Sequence, residues 1–423
     1  MTTVRTGRSV SSFALVGAIV LVASGRAWAD DTDAFRTGLA LYEQGDHTGA
    51  LARWRDAAKT EDTRAMFRIG KLFQRGEGVA RDYAEALRWY RRAADKGHAD
   101  AMSSVGFFYN TGRGVERDDA AAMRWYRKAA GKGVARAMFN IALLYENGDG
   151  VKADLVAAIA WYRKAAAHGD TKSMYYLGQF YDDGEGVERD DAEALRWYRK
   201  AADRGHVAAM FNVGAMHEEG EGVERDDAAA MRWYRRAAAK GDGDALCAIG
   251  VFFHVGRAVE KDYAEAMRWY RQAVEKGDVS AMFNIGLLYQ NGEGVAQDTA
   301  AAVRWYRKAA GGGYLRAMFE LGVLYNVGDG VVQDYAEAMR WYQKAAARNH
   351  ASAMFNIARL HEAGEGTKQD DVEALRWYRK AAERDHADAL ARVGYFYYAG
   401  RGVKRDYHEA VLWYSRAVVK NHA

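Results

Sequence analysis

The chain has 423 residues, of which 49% are hydrophobic and 28% are charged, a composition typical of folded and not of disordered proteins. Its formal net charge is +4 and falls to +1 without the three arginines of residues 1–29, which leaves 58 basic and 57 acidic residues. This balance excludes the strong basic excess of nucleic-acid-binding proteins, so no nucleic-acid partner is expected. The single cysteine, Cys247, excludes an internal disulfide.

The first 29 residues have the pattern of a secretory signal peptide. Arg5 and Arg8 precede the apolar run FALVGAIVLVA, and SGRAWA follows it, which predicts cleavage after Ala29. The apolar run has roughly 11 residues, whereas a membrane-spanning helix needs about 20. We therefore expect a periplasmic or secreted protein without a membrane span after signal cleavage. An uncleaved anchor is the alternative.

Residues 30–63 show the apolar spacing of one helix pair, and from residue 64 to residue 423 the sequence repeats with a period of 36 residues. Each unit reads approximately AMFNIGxLYxxGxGVxxDxxxAxRWYRKAAxxG, and Arg64 is position 1 of the first unit. The tryptophans that mark the period are Trp89, Trp125, Trp161, Trp197, Trp233, Trp269, Trp305, Trp341, Trp377 and Trp413.

The spacing of apolar residues within each unit predicts two helices. Positions 3, 6, 7 and 10 share one helical face, and positions 23, 24, 27, 30 and 31 share another. The Trp-Tyr pairs at positions 26 and 27 continue the second face. We therefore interpret them as packing residues and not as a platform for carbohydrate or nucleic acid.

Polar and glycine residues mark the ends of the predicted helices. Position 19 is Asp in all ten units, which predicts an N-cap for the second helix, and Glu at position 22 in six units predicts a capping box, as in Asp82 and Glu85. Position 34 is Gly in seven units and otherwise Asn349, Asp385 or Asn421, residue types that tolerate a left-handed helix end. The Gly-x-Gly-Val segments lack the Lys-Ser/Thr of a phosphate-binding loop and are interpreted as turns.

These motifs make residues 64–423 resemble ten Sel1-like repeats, which are related to tetratricopeptide repeats but have a longer loop. Residues 30–63, with LYEQGDHTGALARWRDAA, have a shorter loop and resemble an atypical tetratricopeptide-like helix pair. The resemblance implies an all-α fold, an α/α superhelical solenoid of about eleven helix-turn-helix repeats. It further implies a right-handed superhelix with a concave groove, used as a non-enzymatic adaptor for other proteins.

Positions 1, 5, 8 and 12 of the first helix lie opposite its core positions, and the units differ most there. Position 5 is Asn in every second unit, where an amide could bond the main chain of an extended peptide, and position 8 is often apolar. Asn at the matching position of tetratricopeptide clamps supports this prediction. The alternative is an asparagine that is a copied surface residue or bonds a neighbouring loop. The candidate peptide-binding residues are Asn140, Asn212, Asn284, Asn356, Phe107, Leu143, Val251, Leu287, Val323 and Tyr395.

No residue pattern calls for catalysis. The six serines after residue 29 include no Ser-x-x-Lys and no Gly-x-Ser-x-Gly, and five histidines fall at position 35, a repeat or more apart. We expect loop or packing histidines, a small apolar role for Cys247, and neither metal nor cofactor. The alternative, a secreted β-lactamase-like hydrolase or a cell-wall-binding protein, rests on family analogy alone.

The last repeat differs from the others at its second helix. The Arg that usually precedes Trp is Leu412, and the chain ends in AVVKNHA without a polar capping helix. An uncapped solenoid end of this kind predicts self-association through the C-terminal repeat.

Overall fold

The computed structural model describes residues 30–421, so the signal peptide predicted at residues 1–29 lies outside the described residues. The described chain forms 22 α-helices, named α1 to α22, and divides into two compact units between Gly169 and Asp170. In the first unit, α1 to α8 are Asp30–Glu43, His47–Lys59, Thr63–Arg75, Tyr83–Asp95, Ala99–Thr111, Asp119–Ala130, Ala135–Asn147 and Leu155–Ala167.

The second unit contains α9 to α22. These helices are Thr171–Asp183, Asp191–Asp203, Val207–Glu219, Asp227–Ala238, Gly243–Val255, Tyr263–Glu275, Val279–Asn291, Thr299–Gly311, Leu315–Val327, Tyr335–Ala346, Ala351–Ala363, Asp371–Ala382, Ala387–Ala399 and Tyr407–Asn421. In both units, odd-numbered first helices pair with even-numbered second helices, and the predicted all-α solenoid of helix pairs with a 36-residue period is confirmed. Among residues 30–421, none of the helices combines the length and the hydropathy of a membrane span.

The predicted aspartate caps are present, but the capping box is not. Asp82 accepts a hydrogen bond from the backbone N–H of Glu85 at 2.9 Å, and its own N–H donates to the Phe73 carbonyl at 3.0 Å. The Glu85 carboxylate instead accepts from Arg88 and Trp89, each at 2.9 Å. Asp82 therefore connects the start of the second helix to the end of the first. Its N–H is no longer available to Glu85, whose carboxylate bonds side chains of its own helix instead.

Within each unit, the Gly-x-Gly turn packs most repeats against the preceding one. Gly76 ends α3 in the left-handed conformation, with φ of 76°, and its N–H donates to the Leu72 carbonyl at 2.8 Å. Gly78 has φ of 68°, and a Cβ there would lie 2.7 Å from the backbone carbon of His47 at the start of α2. The second glycine is thus required by backbone conformation and by close approach together. At position 34, Asn349 and Asp385 adopt the predicted left-handed conformation.

In most helix pairs, a buried tyrosine of the second helix packs on a glycine of the first. Tyr90 is 1% exposed, and a Cβ on Gly70 would lie 2.7 Å from its ring, so the small residue at position 7 lets α3 and α4 approach closely. The tryptophan beside this tyrosine is only half-buried, and a basic side chain from the same helix covers it, as Lys128 covers Trp125 at 4.3 Å. The Trp-Tyr pairs are therefore packing residues, as predicted.

Candidate functional site

The candidate site consists of the first-helix residues at positions 5 and 8. The four asparagines at position 5 are half-buried, because each lies beside the preceding repeat and not on a fully open surface. In the second unit, the amide of Asn284 donates to the Cys247 sulfur at 3.6 Å. Asn356 faces the Tyr342 hydroxyl. Burial raises the pKa of that hydroxyl, and the Asn356 amide opposes the rise.

Asn212 belongs to a short polar chain in the second unit. Burial and the Asp182 carboxylate raise the pKa of the Tyr198 hydroxyl, and the Asn212 amide facing that hydroxyl opposes the rise. The Tyr198 hydroxyl donates to Asp182 Oδ2 at 3.1 Å. The asparagine side chain therefore contacts a structural tyrosine, so the alternative of a structural role remains open and peptide binding stays a prediction.

Asn140, in the first unit, faces a hydroxyl group with an unsatisfied hydrogen bond. Burial raises the pKa of Tyr126, and the Asn140 amide opposes that rise, but no described atom meets hydrogen-bond distance and angle to this hydroxyl. In most repeats the equivalent tyrosine donates to a side chain at position 11, whereas Asn110 at that position donates to Asp119 at 2.8 Å. The Tyr126 hydroxyl is consequently an unused donor next to Asn140.

The apolar residues at position 8 are less accessible than the sequence suggested. Tyr395 is exposed at 38%, whereas Phe107, Leu143, Val251, Leu287 and Val323 are half-buried. Phe107 packs against the core of the first unit, and the guanidinium groups of Arg113 and Arg136 lie 5.2 and 5.9 Å from its ring centre. The prediction considered the geometry of a single helix and not the burial of its side chains by neighbouring repeats. The position-8 side chains are therefore less exposed than predicted.

Two arginine-centred networks in the second unit were not recognised from the sequence. Arg257 donates to Glu218 at 2.7 Å and to Asp227 at 2.6 Å, and the Asp227 pKa is held far below its usual value by this arginine and by Arg225. Their signal is an Arg at position 14 combined with acids at positions 11 and 20 of the preceding repeat. The arginine and the two acids can be recognised in the sequence once the contact between repeats is known.

The second network borders a concavity of about 400 Å³ in the second unit. Arg401 donates to Glu362 at 2.7 Å and to Asp371 at 2.6 Å, and Arg392 donates to the same glutamate at 3.0 Å. The Asn356 side chain and the exposed Arg359 line the same concavity. Asn356, a predicted peptide-binding residue, therefore lines this concavity.

Four of the position-35 histidines cap helices, a role that was not predicted from the sequence. His98 Nδ1 accepts a hydrogen bond from the Ala101 N–H at 3.2 Å, so it caps α5, and its ring stacks on Phe67 with centres 4.7 Å apart. An acceptor Nδ1 requires the neutral ring, and burial lowers the His98 pKa. The helices α11, α19 and α21 have the same caps from His206, His350 and His386.

The remaining chemistry-bearing residues form no reactive arrangement that we identify in the described part of the chain. Cys247 is buried, and burial raises the pKa of its thiol. Over residues 30–421, no group of three or more His, Cys, Asp or Glu side chains is placed to hold a metal ion. The first helices present a polar and partly apolar surface that is suited to contacts with a partner.

Comparison with known proteins identifies the repeat. The family model for the Sel1 repeat matches residues 63–98, 99–134, 135–170, 171–206, 207–242, 243–278, 279–314, 315–350, 351–386 and 387–418. A protective antigen of uropathogenic Escherichia coli with an SLR fold is 34% identical, with 93% of this chain and 87% of that chain covered and a TM-score of 0.74. A Sel1 repeat protein from Oxalobacter formigenes is also 34% identical, with 58% and 100% covered and a TM-score of 0.53. A comparison with curated proteins returns no match.

Proposed function

The chain belongs to the Sel1-repeat family, whose members are generally protein-interaction scaffolds, and from this premise we propose that it is a non-enzymatic adaptor. In this proposal, an extended peptide or protein segment binds along the first helices of its repeats. One observation carries the proposal. Core positions keep the same residue types from repeat to repeat, whereas position 1 changes charge from Arg64 to Asp100 to Arg136. Variation concentrated on this helix face suits a partner whose sequence does not repeat.

The asparagines and the position-8 residues supply the proposed contacts. An amide that already contacts one tyrosine still has hydrogen-bonding capacity for a peptide main chain, because an asparagine side chain has two donor hydrogens and two acceptor lone pairs. The half-buried apolar side chains beside it, such as Leu287 in the second unit, offer contact area for the side chains of the bound segment.

The double variant Asn212→Ala/Asn284→Ala tests the proposal. We expect weaker capture of the partner from an envelope extract, quantified by mass spectrometry, and a melting temperature close to that of the wild type. The matched control is Arg232→Ala/Arg304→Ala, which removes exposed side chains of the second helices in the same unit. A large fall in melting temperature for the asparagine variant alone would assign these residues to structure and contradict their proposed role.

We also propose that the adaptor works in the periplasm or outside the cell. The pattern of residues 1–29 supports this, with charged, apolar and small-residue segments in the order of a signal peptide. A mature N-terminus at Asp30, measured by mass spectrometry of the exported protein, is the expected result. Retention of residue 1 in the exported protein would contradict cleavage.

Self-association through α22 is the last element of the proposal. Val411 and Val418 are 61% and 55% exposed, whereas Leu375, at the position equivalent to Val411 in the preceding repeat, is 3% exposed. Leu412 and Val419 extend this apolar surface at positions that are mostly charged or small elsewhere. Exposed apolar patches mark contact sites, and the same apolar surface of a second copy could bury this one in a symmetric dimer.

The mass in solution tests self-association. We expect the wild type to dimerise with rising concentration in analytical ultracentrifugation and Val418→Glu to stay monomeric. Val156→Glu is the matched control, because Val156 is a 69% exposed valine on α8 and should leave the dimer intact. A wild-type protein that is monomeric throughout the concentration range would overturn this element.

A further inference from the structure

The first unit has an unbalanced cluster of basic side chains on its first helices. Lys71 and Arg75 from α3 and Arg136 from α7 line a concavity of about 490 Å³, in which Asp100 is the only acidic lining residue. Arg68 lies one helical turn before Lys71 and close enough to lower its pKa. The concavity therefore concentrates positive charge in a chain whose overall charge after residue 29 is close to zero.

Most of these cations form no ion pair within the described residues. Arg75 contacts Glu77 at 3.4 Å, but Arg68, Lys71 and Arg136 form no ion pair within the described residues. Burial, with the repulsion of Arg75 and Arg68, lowers the Lys71 pKa, and the attraction of Asp100 and Glu77 offsets this only in part. Elsewhere in the same unit, Arg117 contacts both Asp119 and Asp149.

We propose that this cationic surface, formed by Arg68, Lys71, Arg75 and Arg136, binds the carboxylates of an extended acidic peptide segment. The inference rests on the proposed adaptor function and specifies that the bound segment is acidic. Guanidinium groups bind carboxylates through paired hydrogen bonds, and the attraction strengthens where the cations are partly shielded from water. First helices of successive repeats lie about 10 Å apart, so the span from α3 to α7 suits about six residues of extended chain.

The aromatic rings of this surface argue against a nucleic acid. Single-stranded nucleic acids bind by stacking bases on open ring faces. The Phe67 ring stacks on His98 and has Lys71 at 5.6 Å from its centre, and the Phe107 ring is covered by Arg113 and Arg136. With these faces occupied, the surface offers charge and hydrogen-bond donors in a fixed pattern but no stacking platform.

Fluorescence anisotropy with the full mature chain tests the inference. The probe is a labelled, C-terminally amidated decapeptide of alternating Glu and Gly, and its matched control has Gln in place of Glu. We expect the Glu peptide to bind, the Gln peptide to bind at least about tenfold more weakly, and the double variant Lys71→Gln/Arg136→Gln to lose about tenfold in affinity for the Glu peptide.

The control variant removes the same charge from the other side of the repeats. Arg88→Gln/Arg124→Gln changes two side chains that are 76% and 69% exposed on α4 and α6, and it should leave the affinity unchanged. Thermal melts of both variants separate lost binding from lost folding. A loss of affinity in the control variant equal to that of Lys71→Gln/Arg136→Gln would overturn the inference, because net charge and not this surface would then govern binding.

Two further outcomes would also overturn it, and they separate it from the adaptor function. Equal binding of the Glu and Gln peptides contradicts the acidic specificity but leaves peptide binding in place. Equal competition by a ten-nucleotide oligothymidylate contradicts a peptide partner for this surface. If neither peptide binds to the folded protein, the inference is wrong and the proposed adaptor function loses its support in the first unit.

Discussion

A single alanine in the second unit occupies a position that is glycine in all nine of the other 36-residue repeats. Ala258, in the segment GRAV, has φ of 55°, and the equivalent Gly222 in the preceding repeat has φ of 65°. The left-handed conformation costs an L-residue about 1–2 kcal/mol, because its Cβ crowds the following carbonyl. A substitution that departs from the repeat therefore introduces local strain.

Ala258→Gly should consequently stabilise the protein. We expect a gain of about 1 kcal/mol in the free energy of unfolding, because relief of the left-handed strain exceeds the entropy that glycine loses on folding. Chemical denaturation followed by circular dichroism measures this change. The reciprocal variant Gly222→Ala should destabilise, since its Cβ would lie 2.3 Å from the Asp191 backbone. Stabilisation by both substitutions, or by neither, would contradict the explanation.

Helix caps show which features of an element were predictable from the sequence. Asp at position 19 and Gly, Asn or Asp at position 34 were assigned correctly, because both act within a few residues of themselves. The capping box at Glu85 was wrong, since the cap N–H is taken by the Phe73 carbonyl across the helix pair. The histidine caps were missed because Asp62 and Asp170, which occupy the same position in other repeats, are the residues normally associated with capping.

The histidine caps make helix stability dependent on pH. Burial lowers the pKa of His98, His206, His350 and His386 below the ordinary value of 6.5, so the unfolded chain takes up protons at a higher pH than the folded chain. The contribution of these caps is therefore fully present above about pH 6.5. It decreases as the pH falls through 6.5 toward the lower folded-state values.

Replacing the four histidines by aspartate should remove this component. We expect the wild-type melting temperature to fall between pH 7.5 and pH 5 and the quadruple His→Asp variant to show a smaller fall. Asp caps the equivalent helices through Asp62, Asp170, Asp242 and Asp278, and the ordinary pKa of an aspartate, about 3.9, lies below this pH range. Differential scanning calorimetry at matched ionic strength measures both. An equal pH dependence in the two proteins would exclude the histidine caps as its cause.

At the scale of the molecule, the period was predictable and the contacts between repeats were not. Within each unit, every helix packs chiefly on the helices before and after it in the chain, so a 36-residue spacing is enough to predict the pairs. Position 8 was expected to be exposed, but Leu287 and Val323 pack partly against the core. Such cover depends on the rotation between successive repeats, which no single repeat encodes.

In the second unit, repeats contact chiefly adjacent repeats. The effect of deleting a whole repeat therefore depends on which side chains meet at the new junction. Removing residues 207–242, one whole repeat, brings Arg257 to a repeat with Asp182 and Asp191 at positions 11 and 20. These acids replace Glu218 and Asp227, so the arginine keeps two carboxylates. We expect this deletion to keep the helical content per residue and nearly the wild-type stability.

Removing residues 243–278 instead deletes the arginine and brings Glu293 to Glu218 and Asp227, each of which is 25% exposed in the intact network. Three carboxylates would then share one junction, and we expect a loss of about 1–2 kcal/mol relative to the deletion of residues 207–242, discounted for partial solvent access. Urea unfolding followed by circular dichroism compares the two proteins. Glu293→Arg in the second deletion restores an arginine to the junction and should recover the difference. If it does not, stability in this unit is set by apolar packing, and the arginine networks contribute nothing measurable to the junctions between repeats.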